Sequence, residues 1–378
     1  MEIYLDNSAT TKPYEEVIEA MGNAMREFYA NPSAAYKLGM NAEKKISECR
    51  DIIGRTINAS RDEIIFTSGG SEANNFLIRG FLKEGSHIIT SKIEHPSVLK
   101  LCRELEENHI RVTYLDVNSK GEIDIKQLEE SIDKDTVLVS IMHVNNEIGV
   151  VQDLETIGSI IKQKSQRVKF HVDTVQSYGK YKIDVEKFNI DMLSVSTHKF
   201  HGPRGVGFAY LKKGLNPKPL IIGGGQERSF RAGTENTAGI VGLTVAAEIM
   251  YKNLDKNYQH VMDIKKYFIK ELSKIEDIKI NSEESNKFSP YVLNVSFRGI
   301  RSEILLRVLD EKGIYVSVGS ACSAKKSKQS HVLQSIGLSD KEILGSIRFS
   351  FCEYTTKEEI DYTMEVLKQN IILLRRMK

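Results

Sequence analysis

Apolar and polar positions along this chain follow two alternating periods, and the switches between them mark its elements. From Pro13 onward, Val17, Met21, Ala24, Met25 and Phe28 recur at three- and four-residue spacing. That predicts a helix with one apolar face, ending before Asn31-Pro32. Seven short β-rich runs follow, at 63–69, 87–91, 111–117, 136–144, 168–176, 191–198 and 205–213. Most of the gaps hold an amphipathic stretch; in 97–108, for example, Val98, Leu101, Cys102 and Leu105 share one side. Strands and helices alternating in this way predict an α/β domain, a seven-stranded, mainly parallel sheet covered on both faces.

The pattern then changes. A long helical region over 239–275 leads to a strand at 291–297, a helix at 302–312, a strand at 314–318, a polar loop, a strand at 346–351 and a closing helix at 357–375. This order suits a smaller α+β unit, with a boundary near residue 255. The expected division is a large domain over 14–255 and a small domain built from 1–13 and 256–378.

A chain of 378 residues exceeds what one small core supports. Lys and Arg number 53 against 51 Asp and Glu, a formal charge of +2 with no long single-sign block, so direct binding of nucleic acid is not expected. The four cysteines (49, 102, 322 and 352) are scattered, without a C-x-x-C pair or zinc-type spacing. There is no signal-like N-terminus and no apolar run near the roughly twenty residues of a membrane span. The expectation is a protein of the reducing cytoplasm, without membrane attachment.

Parallel α/β sheets bind ligands at the carboxyl ends of their strands, so the residues just past those ends come first. Thr67-Ser68-Gly69-Gly70-Ser71 runs from a strand into a helix and suits a phosphate, or equally an ordinary glycine turn with a serine cap. Asp173 sits inside an otherwise apolar strand, where a carboxylate needs a cationic partner: a protonated ring nitrogen or a structural ion pair. Lys199, between Ser196-Thr197-His198 and a Gly202-Pro203 break, could form a Schiff base or remain a solvated charge. His198 and His201 alone, with no third ligand nearby in the sequence, are weak evidence for metal. Cys322 lies in the small, polar, basic stretch 319–330, which favours a thiolate. Cys49 and Cys102 fall on apolar helix faces and Cys352 ends a strand, so these three read as structural.

Together these segments resemble the cysteine desulfurases of the NifS/IscS type, within fold type I of the pyridoxal-phosphate enzymes. The resemblance runs through Tyr4–Thr11, Asn31-Pro32-Ser33, Phe66–Asn74, Glu94-His95, Met142–Gly149, His171–Gln176, Ser196–Gly205, Arg231–Asn236, Gly319–Ser323 and Ile347–Ser350. It implies that Lys199 binds pyridoxal 5'-phosphate, that Asp173 pairs with the pyridinium nitrogen, and that Gln176 meets the ring hydroxyl side. It assigns the phosphate to Gly70, Ser71, Ser196 and His198, with Thr234 reaching across from a second subunit, so that a homodimer is implied. His95 would stack on the ring and move a proton; Asn146, at the cofactor, and Arg348 would hold the substrate carboxylate. Cys322 would take sulfur from L-cysteine as a persulfide and pass it to an acceptor protein, an iron–sulfur scaffold or a tRNA-thiolation enzyme. No resident metal is implied; Cys322 would meet an iron–sulfur cluster only through a scaffold partner. Ser71, Arg204 and Ser323 depart from the commonest family residues while preserving hydroxyl or charge. An aminotransferase or lyase acting on another amino acid is the nearest rival, and a non-catalytic scaffold subunit a more distant one.

Overall fold

The computed structural model describes residues 2–318 and 329–376. After β1 (Ile3–Tyr4), α1 (Glu15–Glu27) and α2 (Lys37–Thr56), the chain enters an alternating series. It comprises β2 (Ile64–Thr67), α3 (Gly70–Arg79), β3 (His87–Ser91), α4 (Pro96–Glu107), β4 (Arg111–Leu115), α5 (Ile125–Ser131), β5 (Thr136–Met142), α6 (Leu154–Lys164), β6 (Lys169–Asp173), β7 (Met192–Ser196) and β8 (Gly207–Leu211). All seven strands lie inside the runs expected from sequence. They form one sheet in the order β2-β8-β7-β6-β5-β3-β4.

From β7 to β4 every pairing is parallel, while β8 runs antiparallel to both β7 and β2. The reason is connection length. No helix of crossover length fits between β7 and β8, so the chain doubles back, whereas parallel neighbours need a long crossover. Alternate residues of each strand point to opposite faces. Phe66, Val139, Phe170, Leu193 and Phe208 pack under α1, α2, α6 and a later helix, α7 (Thr237–Lys252). Ile65, Ile88, Leu138, Met192 and Ala209 pack under α3 and α4.

Beyond α7 come α8 (Leu254–Leu272), β9 (Ile278–Ile280), β10 (Val292–Phe297), α9 (Ser302–Glu311), β11 (Ile314–Tyr315), β12 (Ser317–Val318), α10 (His331–Ser335), α11 (Asp340–Leu344), β13 (Ser346–Ser350) and α12 (Lys357–Arg376). An antiparallel sheet, β12-β13-β10-β9, shares a core with Phe268 of α8, Leu305 of α9 and Leu367 of α12. Ile3 and Leu5 from the N-terminus complete that core, and β1 pairs in parallel with β11.

Three expectations change. The helical region 239–275 breaks at Asn253, whose side-chain amide donates to the Ile249 carbonyl at 2.9 Å and ends α7. The strand expected over 314–318 is two short strands in different sheets, because Tyr315 pairs with Tyr4 while Ser317 pairs with Arg348. Met25, expected on the buried face of the first helix, is 61% exposed. Its face continues past the apolar stripe to the surface of the single chain. The expected loop around Cys322 lies outside the described residues.

Candidate active site at the ends of the parallel strands

Five parallel-direction strands deliver their carboxyl ends to one region: β2 leads to Gly69-Gly70, β3 to Glu94-His95, β5 to His143, β6 to Asp173–Gln176 and β7 to Lys199. This is where an α/β sheet presents its loops and helix N-termini to a ligand.

The Asp173 carboxylate is buried, with one oxygen accepting the Val175 amide at 2.9 Å and the other the Asn74 side-chain amide at 2.8 Å. Asn74 also donates to Ser97 Oγ at 2.9 Å, and Ser97 meets His95 Nδ1 through its hydroxyl at 2.9 Å and its backbone amide at 3.1 Å. His95 thus caps α4 before Pro96 and is fixed by a relay that ends on Asp173. Burial lowers the His95 pKa; Asp173 opposes the shift, and Lys199 and His331 reinforce it. Those three groups therefore lie within electrostatic reach of His95. Glu94 is completely buried, which pushes its carboxyl up to about 8. Its Oε1 accepts Ser91 Oγ at 2.6 Å and the Met142 amide at 3.1 Å, whereas its Oε2 has no partner among the described residues.

Lys199 follows β7 on a single 3₁₀ turn. Its Nζ donates to the carbonyls of Ser8 and Ala9 at 2.6 and 2.7 Å. Gln176 Nε2 donates to the same Ser8 carbonyl at 2.9 Å, leaving its buried Oε1 without a partner among the described residues. His198 Nδ1 meets Thr10 Oγ1 at 3.2 Å, and burial holds the ring down to about 4, so it is neutral at neutral pH. The N-terminal segment thus lies against the end of β7.

The start of α3 is built for close approach. Gly69, at φ 145°, caps the helix without a side-chain acceptor, and first-turn amides have no intrahelical partner. A Cβ at Gly70 would stand 2.5 Å from Val175 Cγ2, and one at Gly69 would stand 3.3 Å from Ser196 Oγ. Only glycine lets these amides and the Ser196 hydroxyl converge. Such a helix end attracts an anion.

Arg348, on β13, is buried and donates to Asp6 Oδ1 at 2.6 Å and to the Asn146 carbonyl at 3.0 Å. Its Nε has no partner among the described residues. Next to it stand both roots of the segment that carries Cys322. Val318 pairs with Ile347, the neighbour of Arg348. On the return side, the Ser330 hydroxyl donates to the buried carboxylate of Glu147, and His331 Nε2 donates to the carbonyl of Glu94 at 3.0 Å.

Lys199, His95, Gly70, Asp173, Gln176, Ser196, His198, Asn146 and Arg348 all come to this region. Ser71 is exposed on the first turn of α3. Thr234 is not brought to the site within its own chain; it is exposed and lines a surface groove with Phe28, Tyr29 and Asn31. Cys322 lies outside the described residues. Asn74, Glu94, Glu147 and Ser330 had no role assigned from sequence. For Asn74 and Glu94 the available signal was a polar residue inside an apolar pattern; for Ser330 it was a serine just before a helix start, and for Glu147 no local signal existed.

The donor set fits a phosphorylated heteroaromatic ring with a protonated nitrogen. It offers a buried carboxylate with fixed geometry, an unpaired Gln176 oxygen, an amine at Lys199 and a helix-end anion cradle. The class-V aminotransferase family profile matches residues 3–363. The chain is similar to cysteine desulfurase IscS of Dictyoglomus turgidum, with 43% identity across 99% of this chain and 95% of that one. It is similar at 41% identity to cysteine desulfurase IscS of Methanosarcina thermophila, over 99% of this chain and 93% of that one. Among solved structures, a NifS-like protein superposes with a TM-score of 0.93 at 37% identity, covering 99% of this chain and all of that one. One described as SspA in complex with cysteine gives a TM-score of 0.83 at 37% identity, over 94% of this chain and all of that one. The chain belongs to the class-V aminotransferase family of fold type I, and within it to the pyridoxal-phosphate-dependent cysteine desulfurases of the NifS/IscS type.

Proposed function

We propose that this chain removes sulfur from free L-cysteine, leaving L-alanine, and that Cys322 receives the sulfur as a persulfide. The observation that carries this reading is the position of the two roots of the Cys322 segment, one beside Arg348 and the other beside Glu94-His95. Cys322 is four residues from Val318, a reach of about 14 Å at most along an extended chain. The described ends of the segment, Val318 and Ser330, stand beside Arg348 and Glu147.

Pyridoxal phosphate, when bound, supplies a ring that withdraws electrons from the substrate Cα. The chain's own residues do the rest. Lys199 anchors the cofactor and, once released from it, carries the proton of the substrate Cα. Asp173, oriented by the Val175 and Asn74 donors, would pair with the protonated ring nitrogen. Gln176 meets the ring hydroxyl side; Gly70, Ser71, Ser196 and His198 hold the phosphate. His95, whose pKa burial lowers, would stack on the ring and move a proton at the substrate. Arg348 takes the substrate carboxylate with two parallel donors, exchanging Asp6 for it, and Asn146 assists. The Cys322 thiolate attacks the substrate sulfur, the Cβ–S bond breaks with its electron pair left on Cβ, and protonation there completes alanine. Atoms balance as cysteine plus thiol giving alanine plus persulfide.

The division into 14–255 and 1–13 with 256–378 belongs to this proposal, with Arg348 and Cys322 on the smaller part. So does a homodimer, in which Thr234 reaches the partner's phosphate. Its exposed position beside Met25 and Tyr29, 61% and 71% exposed, supports that. The persulfide then passes to an iron–sulfur scaffold or a tRNA-thiolation enzyme in the cytoplasm. None of the helices among the described residues is long and apolar enough to cross a membrane.

Incubating the purified enzyme with L-cysteine and a reductant, and measuring alanine and sulfide together, tests the reading. Equal yields are expected, with both lost in Cys322→Ser while the cofactor's spectral response to cysteine remains. Undiminished alanine in Cys322→Ser would exclude Cys322 as the acceptor.

A further inference from the structure

A second cluster of ligand-type side chains lies on the other side of the β7 turn, outside the cofactor site. A ring nitrogen of His201, Cys352 Sγ and a Glu353 oxygen all fall within 4.8 Å of one another. His201 is almost fully buried, and Cys352 and Glu353 are partly so. The cluster joins distant parts of the chain. His201 stands two residues past Lys199, and Cys352-Glu353 stands just past β13, which carries Arg348.

Hydrogen bonding fixes how His201 is presented. Its Nδ1 lies 2.8 Å from the Lys12 carbonyl, which can only accept, so Nδ1 carries the proton. Nε2 is then left facing Glu353 Oε2 at 3.3 Å. A lone pair and a carboxylate oxygen at that distance need a cation between them: a proton or a metal. The other Glu353 oxygen accepts from the Tyr14 hydroxyl, and the Tyr14 ring stacks on His201 with centroids 4.5 Å apart. An imidazole whose far nitrogen donates to a backbone carbonyl, and a carboxylate oriented by a phenol, form the outer shell that metal ligands require.

We propose that His201, Cys352 and Glu353 form a divalent-metal site, selective for zinc, that staples the Lys199 turn to the end of β13. The donor set of one nitrogen, one sulfur and one oxygen matches zinc, whose bonds of about 2.0–2.3 Å give tetrahedral edges of about 3.3–3.8 Å. The His201 Nε2 to Glu353 Oε2 separation of 3.3 Å already matches such an edge, and metal binding would draw the three atoms in from within 4.8 Å of one another. A thiolate and a carboxylate balance the two positive charges, and the fourth position is open to water. Tyr354, 64% exposed, packs edge-on to His201 at 5.9 Å, so the site lies one side chain below solvent. The buried Lys180 amine lies within electrostatic reach of Glu353 and Cys352 and is the nearby positive charge when no metal is bound.

Cobalt(II) replaces zinc with a visible spectrum and serves as the probe, added to holoenzyme carrying Cys322→Ser so that this further thiol does not compete. The expected result is one cobalt per chain with a thiolate-to-cobalt charge-transfer band, displaced by zinc. Cys352→Ser should abolish the band. His201→Asn should weaken binding at least tenfold, since asparagine tolerates the left-handed backbone at φ 64° and can still donate to Lys12 but offers no Nε2. In the wild-type holoenzyme, zinc should slow alkylation of Cys352 by iodoacetamide, read by peptide mass, a measurement that needs no variant to fold. A cobalt spectrum without the thiolate band, binding indifferent to both substitutions, or no zinc protection of Cys352 would reduce the cluster to a structural ion pair and overturn the proposal.

Discussion

Replacing Glu94 by glutamine exposes the electrostatic cost built into the site. Glu94 is completely buried beside Asp173, and its carboxyl is raised from 4.5 to about 8. The folded chain therefore keeps this proton over a window in which the unfolded chain has lost it. Stability falls as pH rises through that window, by about 1.4 kcal/mol per pH unit, and levels off above about 8. Across the whole window the loss is about 5 kcal/mol, an upper figure. Glutamine keeps the Oε1 acceptor for Ser91 and Met142 and carries no titratable proton. Its amide group adds a donor where Oε2 had no partner, a pH-independent penalty of about 1–3 kcal/mol. The variant should thus be less stable than wild type near pH 5, cross it between about pH 5 and 7 and be more stable at pH 8. Urea unfolding of both holoenzymes at fixed protein and cofactor concentration checks this, because other titrating groups cancel in the difference. A difference that stays flat between pH 5 and 8 would refute a protonated Glu94.

Gly70→Ala should cost about 1–3 kcal/mol, because its Cβ would meet Val175 Cγ2 at 2.5 Å, and should raise the cofactor dissociation rate measured by loss of absorbance. Asn74→Leu removes a donor from the Asp173 carboxylate, so kcat/KM should fall about 10- to 100-fold. The pH dependence of the bound cofactor's absorbance should shift with it, which a purely structural role would not produce. Ser330→Ala takes away both the cap of α10 and the donor to Glu147 at the root of the Cys322 segment. Persulfide formation, trapped by alkylation, should slow severalfold while the spectral response to cysteine is unchanged.

Local pattern and composition by themselves determined much of this protein. The seven strands follow from runs such as His87–Ser91 and the helices between them, because residue period is a short-range property of the chain. Lys199, Asp173 and Gly70 were legible because each breaks its local pattern at a strand end. Only the tertiary structure decided which distant groups meet. Asn74 reaches Asp173 and Ser330 reaches Glu147 across 99 and 183 residues. The pairing partners of Tyr315 and Ser317 split one apparent strand between two sheets, and His201 found its Cys352-Glu353 neighbours from the far end of the chain. Periodicity reports how a segment buries its own face; it carries no information about which polar group from elsewhere will lie within hydrogen-bonding reach once two layers have packed.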